Sequence, residues 1–314
     1  MPQTPGLTEL NVSQRTLSRT EPAVPGDAAV ADWINLLKPR VVALVAFTGL
    51  IGVLVAPGHI HPVLVLAVVL AIAVAAGGAG AINMWYDRDI DAIMRRTRSR
   101  PIPSGRIAPG EALGFGVTLA AAAVIVMGLA TNLTAALVLA LSVGFYVVVY
   151  TVWLKRRTPQ NIVIGGAAGA FPPVVGWASV TGTIDLMPLV LFAIIFFWTP
   201  PHFWSLSLFA HADYERAGVP MLPVVAGASE TKRQMLLYTL VLWPVSLAPW
   251  LLGIGGVLYA SGAVLLSALF TGAAALVCGD TTDRSARRMF AFSLLYLFLI
   301  FSLALVDHAG GVWL

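Results

Sequence analysis

The chain has 314 residues, of which 58% are hydrophobic and 11% are charged, whereas soluble proteins average about 25% charged residues. This composition, with a mean hydropathy of +0.86, excludes a disordered chain, a coiled coil and a nucleic-acid-binding domain, because none of these tolerates so few charges. We therefore expect a protein surrounded by membrane lipid. The net charge is +4, and the position of that charge along the chain is more informative than its size.

The N-terminal part of the chain differs from the rest. Residues 1–32 are polar and contain no apolar run of the kind found in a secretory signal, so they are interpreted as a mobile cytosolic tail. Residues 33–314 are interpreted as one transmembrane domain. A membrane-spanning helix needs about 20 mostly apolar residues, and nine such runs predict an all-α bundle of nine transmembrane helices. They cover approximately residues 41–57, 63–83, 112–130, 133–154, 162–180, 186–206, 235–256, 258–278 and 289–306.

Small residues and prolines within the runs predict how the helices pack. Residues 77–80 read Gly-Gly-Ala-Gly, and residues 165–170 read Gly-Gly-Ala-Ala-Gly-Ala. Small side chains let helices approach closely in lipid. Pro172 and Pro173, in the fifth run, predict a kink or a break at that point.

The basic residues predict the orientation in the membrane. All 19 lysines and arginines lie in the N-terminal segment or in the connections after runs 2, 4, 6 and 8. Because basic residues are enriched on the cytoplasmic side, the N-terminus is expected in the cytoplasm and the C-terminus outside. Two of the cytoplasmic connections are long, at about residues 84–110 and 207–233, and are here called the first and second capping loops. The two long loops follow runs 2 and 6, which are four helices apart, and this regular spacing indicates an internal repeat.

The first capping loop follows a set of polar residues at helical spacing. Asn83, Asp87 and Asp91 are four residues apart, so a continuing helix would present all three on one face, with Asp89 pointing away. Two like charges at this spacing destabilise a helix, so a positive group is expected beside them. Carboxylate and amide oxygens suit Mg²⁺, which usually binds one or two carboxylates together with substrate phosphates.

Asn83, Asp87 and Asp91 are called the acid triplet from here on. A run of arginines follows them in the sequence. Arginine forks match phosphate oxygens with two parallel hydrogen bonds, which favours an anionic substrate. The alternative is that the acids only pair with these arginines and that the arginines only obey the charge rule for cytoplasmic loops. The run consists of Arg88, Arg95, Arg96, Arg98, Arg100 and Arg106.

The spacing of the triplet resembles the first aspartate-rich motif of the UbiA superfamily of intramembrane prenyltransferases. The string that follows at residues 95–105, Arg-Arg-Thr-Arg-Ser-Arg-Pro-Ile-Pro-Ser-Gly, is similar to the branch of that family that farnesylates haem. The resemblance covers roughly residues 33–306. Further stretches that carry it are residues 38–40 (Lys-Pro-Arg), 150–157, 201–204 (Pro-His-Phe-Trp) and 213–223.

This resemblance implies a fold and a reaction. The bundle would enclose a lateral apolar cavity, capped by the two loops, on the cytoplasmic side of a bacterial inner membrane. The reaction would be Mg²⁺-dependent transfer of a farnesyl group from farnesyl diphosphate to a vinyl group of haem b, giving haem O. Haem A synthase or oxidase assembly factors would then be downstream partners.

The resemblance also carries candidate roles. Asp213 is the fourth catalytic candidate, but Ala217 stands where many relatives repeat the aspartate, so Asp213 with Glu215 is interpreted as a reduced second motif that holds water or one metal ion. His202 and Tyr150 are candidates for contact with haem or another acceptor, and His202 is also a candidate for acid/base catalysis. The alternatives are a boundary histidine and an interfacial tyrosine. The candidates for the diphosphate are Arg95, Arg98, Arg100, Lys155, Arg156 and Lys232.

Three other functions stay open on the sequence. A related prenyltransferase could use a quinone precursor or chlorophyllide as acceptor. A transporter could use the intramembrane carboxylates as an ion site, although transporters place such charges near the bilayer midplane. A haem-binding chaperone without catalysis would leave the acid triplet unexplained.

Overall fold

The computed structural model describes residues 28–311, and over this range the regular structure is entirely helical. The predicted tail therefore lies outside the described residues up to residue 27. Residues 30–32, the last three of the predicted tail, belong to the first helix. The helices are α1 (Val30–Leu36), α2 (Pro39–Leu54), α3 (Pro62–Tyr86), α4 (Arg88–Ile93), α5 (Pro109–Ala130), α6 (Leu133–Gly144), a π-helical segment (Phe145–Leu154), α7 (Asn161–Ala170), α8 (Pro172–Thr181), α9 (Leu186–Phe209), α10 (His211–Arg216), α11 (Leu222–Val225), α12 (Gly227–Leu251), α13 (Val257–Gly279) and α14 (Asp283–Gly311).

Each of the nine apolar runs coincides with one helix or with two consecutive helices, although the runs 41–57 and 235–256 extend past the ends of α2 and α12. Over the described residues, eight helices are long and apolar enough to cross a membrane, and the number is nine if α1 and α2 are counted as one bent span. These two short helices meet at an angle of 52°. The bend falls at Lys38, whose φ of 53° is left-handed, and Pro39 then begins α2 with a ring that already fixes a helical φ.

The fifth span is broken where the prolines predict it. Helix α7 ends at Ala170 and α8 begins at Pro172. Proline has no main-chain N–H to continue the helical hydrogen bonds, and its ring clashes with the preceding turn. The break lets α8 pack directly on α2, where glycines allow the two backbones to touch. A Cβ built on Gly52 would lie 2.2 Å from the Pro173 oxygen, and one on Gly176 would lie 2.1 Å from the Gly49 oxygen.

We expect Gly176→Ala to destabilise the protein by about 2–3 kcal/mol, because its methyl group would overlap a backbone that has no room to move. Gly169→Ala is the matched control, since a Cβ there meets nothing within 4 Å. Alanine is also the better helix former, so the control should unfold within about 1 kcal/mol of the parent protein. Thermal unfolding in detergent measures both. Equal unfolding midpoints for the two variants would show that the crossing of α2 and α8 is not this close.

The span that follows α6 changes its helical geometry before it ends. Over Phe145–Leu154 the chain forms a π-helix, with hydrogen bonds from residue i to i+5, and the Lys155 N–H donates to the Tyr150 oxygen at 2.9 Å. The Thr151 hydroxyl donates to the Tyr146 oxygen five residues back, at 2.8 Å. The wider turn rotates Thr151 and Lys155 relative to a continuous α-helix, and both then contact the acid triplet.

Two apolar clusters fasten the capping loops to the helix ends. One joins the first loop to α1 and α3 and includes Leu36, Met84 and Ile107. The other joins the two loops to each other. It combines Ile90 and Met94 of the first loop with Tyr214, Val219 and Met221 of the second loop, together with Ile162.

Candidate functional site

The acid triplet keeps its shared face although the helix is interrupted. Helix α3 ends at Tyr86 and α4 begins at Arg88, yet the Asp87 N–H still donates to the Asn83 oxygen at 2.9 Å, and the Asp91 N–H to the Asp87 oxygen at 2.8 Å. The helical spacing is therefore preserved through the junction. All three side chains are buried, whereas the Asp89 side chain is 61% exposed.

Asp87 is the most enclosed member of the triplet, with no exposed surface. Its Oδ2 accepts hydrogen bonds from Asn83 Nδ2 at 2.7 Å and from the ammonium of Lys155. Its Oδ1 has no hydrogen-bond partner among the described residues, and the Arg156 guanidinium lies 3.6 Å from it. A buried carboxylate oxygen without a partner is destabilising, so this atom is a ready site for a ligand.

Asp91 is paired with an arginine of the first capping loop. The Arg100 guanidinium donates to Asp91 Oδ2 at 2.6 Å. The loop is turned back towards α4 by the Thr97 hydroxyl, which donates to the main-chain oxygen of Asp91 at 2.9 Å. The positive groups expected beside the two aspartates are thus Lys155 for Asp87 and Arg100 for Asp91.

Asn83 is held by a residue for which the sequence supplied no role. Its Oδ1 accepts a hydrogen bond from the Lys38 ammonium at 2.7 Å, and its Nδ2 also donates to the Thr151 hydroxyl at 3.2 Å. In the sequence Lys38 stands out only as part of the Lys-Pro-Arg stretch. The one signal that could have found this contact is position. Lys38 directly precedes the first apolar run and Asn83 ends the second, so two antiparallel helices would place both residues at the same end of the bundle.

Arg156 connects the triplet to the exposed aspartate beside it. Its guanidinium donates to both Asp89 oxygens, at 2.6 and 2.7 Å, and to the Tyr86 main-chain oxygen at 3.0 Å. It also lies 4.9 Å from the centre of the Tyr86 ring. The hydrogen bond from Arg156 holds the pKa of Asp89 below its usual value, so Asp89 stays charged and keeps this arginine beside Asp87.

Asp213 lies in the second capping loop and binds the backbone of the first. Its two oxygens accept hydrogen bonds from the main-chain N–H groups of Arg95, at 3.3 Å, and Arg96, at 3.4 Å, and it also pairs with Arg216. Burial opposes ionisation of Asp213, but these N–H donors and the Arg216 guanidinium hold its pKa below the usual range. The neighbouring Glu215 side chain is 66% exposed.

The remaining candidates for diphosphate or acceptor binding form no hydrogen bond or ion pair with the triplet. The Lys232 ammonium donates to the Asp280 main-chain oxygen at 2.5 Å, beside a cavity of about 100 Å³, and does not contact the triplet. Arg98 is exposed on the first capping loop. Tyr150 stacks on Tyr146 with ring centres 5.4 Å apart.

His202 has a defined hydrogen-bond environment. Its ring is stacked between Trp198 and Phe290, with centres 4.3 and 4.7 Å away. Its Nδ1 lies 2.6 Å from the Ser293 hydroxyl, which itself donates to the Phe290 main-chain oxygen at 2.6 Å. Because that hydroxyl has only one hydrogen, Nδ1 must be the donor, and the lone pair of a neutral ring is therefore on Nε2.

The donor atoms of the triplet fit a divalent cation of the Mg²⁺ type. They are all oxygens, two of the three residues are carboxylates, and one of the atoms is the unpartnered Oδ1 of Asp87. Among the described residues no three His, Cys, Asp or Glu side chains form a metal cage. The triplet itself offers two carboxylates and one amide oxygen, and Mg²⁺ usually binds one or two carboxylates together with water and substrate phosphates.

Comparison with known proteins identifies the family. The sequence pattern of the UbiA prenyltransferase family matches residues 44–301. The chain belongs to this family. It is 61% identical over 294 residues to a protoheme IX farnesyltransferase of Granulibacter bethesdensis, covering 91% of this chain and 93% of the relative. It is 59% identical over 290 residues to the protoheme IX farnesyltransferase of Acidiphilium cryptum, covering 90% and 92%.

Solved structures show the same fold at low sequence identity. A digeranylgeranylglyceryl phosphate synthase superposes with a TM-score of 0.73 at 20% identity, covering 89% of this chain and 98% of that one. A UbiA homologue from Archaeoglobus fulgidus, solved with geranyl diphosphate and Mg²⁺ bound, superposes with a TM-score of 0.60 at 16% identity, covering 87% and 99%. The all-helical membrane fold expected for a UbiA prenyltransferase is thereby confirmed.

Proposed function

We propose that this protein transfers the farnesyl group of farnesyl diphosphate to a vinyl group of protohaem IX (haem b), producing haem O. The observation that carries the proposal is the buried triplet of Asn83, Asp87 and Asp91, which has one carboxylate oxygen without a partner among the described residues and is in contact with three cations. Membership of the UbiA family and the name shared by relatives that align over about nine-tenths of the chain support the same reaction.

Asn83, Asp87 and Asp91 would hold Mg²⁺. When bound, the ion supplies positive charge to the diphosphate oxygens as the bond to the farnesyl carbon breaks. The residues of the chain prepare for the same charge. Lys155 and Arg100 already lie against the two buried carboxylates, and Arg156 is held at the rim by Asp89, so a diphosphate that enters would meet oriented donors.

The other basic candidates would act further from the triplet. Arg95 and Arg98 are exposed on the first capping loop, from which a long side chain can reach an entering diphosphate. Lys232 is bound to the backbone between α13 and α14, so a role in binding diphosphate would require it to leave that contact. We therefore rank Lys232 last among the candidates.

The reaction needs an apolar and water-poor space, because water would capture the allylic cation. We propose that a lateral cavity within the bundle receives the C15 chain and the porphyrin, with the two capping loops as its cover. The apolar contact between the loops, formed by Met94, Tyr214 and Met221 among others, would exclude water from the diphosphate end. Tyr150 and Tyr146, stacked beside this cluster, would form part of the wall.

We propose His202 as a ligand of the haem acceptor, because its Nε2 has a free lone pair and its ring is held between Trp198 and Phe290. Replacing His202 by Phe keeps an aromatic ring but removes the ligand. The expected result is a changed absorption spectrum of the bound haem, with a KM for haem raised about tenfold and a smaller change in the KM for farnesyl diphosphate. An unaltered haem spectrum in His202→Phe would exclude iron coordination by this residue.

We propose that Asp213 is a positioning residue that fixes the first capping loop. In Asp213→Ala both loop N–H donors lose their acceptor, and each lost hydrogen bond to a charged group is worth about 1.5–3 kcal/mol. The KM for farnesyl diphosphate should rise at least tenfold, while the Mg²⁺ concentration for half-maximal rate stays the same. Asp213→Asn keeps one acceptor and should recover part of the loss. A raised Mg²⁺ requirement in both variants would instead identify Asp213 as a metal ligand.

We further propose nine spans, with residues 33–314 as one prenyltransferase domain and the N-terminus in the cytoplasm of a bacterium. The catalytic site would then face the cytoplasmic side of the inner membrane, and haem O would pass to haem A synthase or to oxidase assembly factors. The concentration of all 19 basic residues in the N-terminal segment and in alternate connections supports this orientation. Cysteines introduced one at a time at Thr183 and Ser99, after removal of Cys278, should be labelled from opposite sides of the membrane.

An acceptor panel tests the proposed reaction. Purified protein in detergent is given farnesyl diphosphate and Mg²⁺ with haem b, a quinone precursor or chlorophyllide, and the products are identified by mass. Haem b alone should be converted, with release of diphosphate and without any ion gradient. Conversion of another acceptor in preference to haem b would reassign the substrate, and the absence of diphosphate release with all three would favour a transporter or a haem carrier.

A further inference from the structure

Lys38 occupies an unusual place in the backbone. Its φ of 53° makes it the one non-glycine residue with a positive φ among residues 28–311. This left-handed conformation is unfavourable for a side chain with a Cβ, and glycine or asparagine usually takes it. Residues held in this way are concentrated at functional sites, where the surrounding structure imposes the conformation.

The surroundings of Lys38 explain what imposes this conformation. Helix α1 is anchored by Leu36, which is fully buried in the cluster with Met84 and Ile107, and by the Asp32 carboxylate, which accepts from Arg106 at 2.9 Å. Helix α2 then departs at 52° from α1. The residue at the corner has to turn sharply, and the direction of that turn sends its side chain towards α3.

Helix α3 has small residues where this corner contacts it. A Cβ built on Gly77 would lie 3.1 Å from the Leu37 side chain, and one on Gly80 would lie 3.5 Å from Cδ of Lys38. The lysine stem therefore runs along a surface that glycine keeps free. Its ammonium reaches Asn83 Oδ1 at 2.7 Å, and Asn83 is one of the three residues proposed to hold the metal ion.

We infer that Lys38 is a further active-site cation, which competes with the divalent ion for Asn83 Oδ1 and donates to the diphosphate once the ion has displaced it. The inference rests on the proposed function. An ammonium and a divalent cation repel each other at contact distance, so they cannot share this oxygen. The stem is fixed at a corner of the backbone, and the ammonium, with three N–H donors, needs an anionic partner nearby. The entering diphosphate supplies it.

Two effects of opposite sign follow from this arrangement. Without substrate, removing the ammonium frees Asn83 Oδ1 and lowers a local positive charge, so the divalent ion should bind more tightly. With the metal bound, removing the same ammonium takes a charged donor from the diphosphate, which should bind more weakly. A lysine that only supported the fold would not move the two affinities in opposite directions.

The experiment measures both affinities on the purified full chain in detergent. Free Mn²⁺, used as a paramagnetic substitute for Mg²⁺, is titrated by EPR without substrate, and inorganic diphosphate is then titrated at saturating Mn²⁺. Lys38→Met keeps the stem that packs on Gly80, and Lys38→Gly suits the left-handed backbone, so at least one variant should fold normally. Arg40→Met removes the same charge two residues away from an exposed side chain and is the matched control.

Both Lys38 variants should bind Mn²⁺ about tenfold more tightly. They should bind diphosphate at least about tenfold more weakly, which is the loss of affinity expected when one hydrogen bond to a charged group is removed. Arg40→Met should change neither affinity by more than about twofold. If the wild-type protein binds Mn²⁺ and forms haem O, but the Lys38 variants behave like Arg40→Met or bind Mn²⁺ more weakly than the wild type, the inference is wrong and the proposed function stands. Failure of the wild-type protein to bind Mn²⁺ would instead overturn the metal assignment of the proposed function and this inference with it.

Discussion

Asp87→Asn should lower the rate of haem O formation per folded molecule about a thousandfold, and the unfolding temperature should fall because Lys155 loses its carboxylate partner. The variant keeps the size of the side chain but removes the charge of the one fully enclosed carboxylate, whose Oδ1 is free for a ligand. Loss of one positioned group that stabilises developing charge typically costs about 10²–10³ in rate, and loss of a metal ligand adds to this. Single-turnover measurement of haem O at saturating Mg²⁺ tests the expectation.

Asp89→Asn is the matched control for this variant. It removes an aspartate two residues away whose side chain is 61% exposed and which contacts Arg156 and not the inside of the site. We expect a loss of no more than about tenfold, the size associated with one exposed charge-assisted contact. If the two variants were equally impaired, or if Asp87→Asn kept full turnover, the assignment of Asp87 to the catalytic site would be wrong.

The second large effect is expected for Lys155→Met. The Lys155 side chain is 16% exposed and lies on Asp87, which has no exposed surface, so the variant leaves a buried carboxylate without its main cation. Removing one partner of a buried ion pair typically destabilises a protein by about 3–5 kcal/mol. The protein should unfold at a clearly lower temperature, and turnover should fall at least a hundredfold because the diphosphate loses a donor.

The double variant Asp87→Asn with Lys155→Met separates the two effects. It removes both charges of the pair, so most of the stability lost in Lys155→Met should return, while turnover should stay as low as in Asp87→Asn alone. Thermal unfolding and single-turnover rates on the four proteins complete the cycle. A double variant no more stable than Lys155→Met would show that this pair is not the source of the destabilisation.

Much of the fold follows directly from the sequence, because lipid imposes strong rules. A spanning helix must satisfy its own backbone and must be long enough to cross the membrane, so apolar runs of about 20 residues locate helices such as α3 and α9. The proline pair at Pro172 predicts the break between α7 and α8 for an equally local reason. The shared face of Asn83, Asp87 and Asp91 is also local, since it depends only on helical spacing.

The contacts of the triplet could not be predicted in this way, because they depend on distant segments. Lys38 reaches Asn83 only through the bend between α1 and α2, and the sequence of Lys38 and Pro39 gives no angle for that bend. Lys155 reaches Asp87 after a π-helical segment, and apolar spacing gives no sign of the change from α-helical to π-helical hydrogen bonding.

The second capping loop shows the same limit. In the sequence an aspartate motif begins at Asp213, and the missing partner at Ala217 weakens the prediction of a symmetrical metal site. In the structure its carboxylate accepts from the backbone of Arg95 and Arg96, more than a hundred residues earlier in the chain. Only the packing of the two loops against each other, through residues such as Met94 and Tyr214, brings these groups together.

The central claim is that Asn83, Asp87 and Asp91 hold a divalent ion against the diphosphate of the prenyl donor. The most direct test is a structure of the protein with Mn²⁺ and a non-reactive thio analogue of farnesyl diphosphate, with the metal located by anomalous scattering. We predict an Mn²⁺ peak that is ligated by Asp87 and Asp91 and by the analogue, with Lys38 no longer on Asn83. A peak bound only by Asp213 and Glu215, or an analogue whose diphosphate lies away from the triplet, would contradict the account.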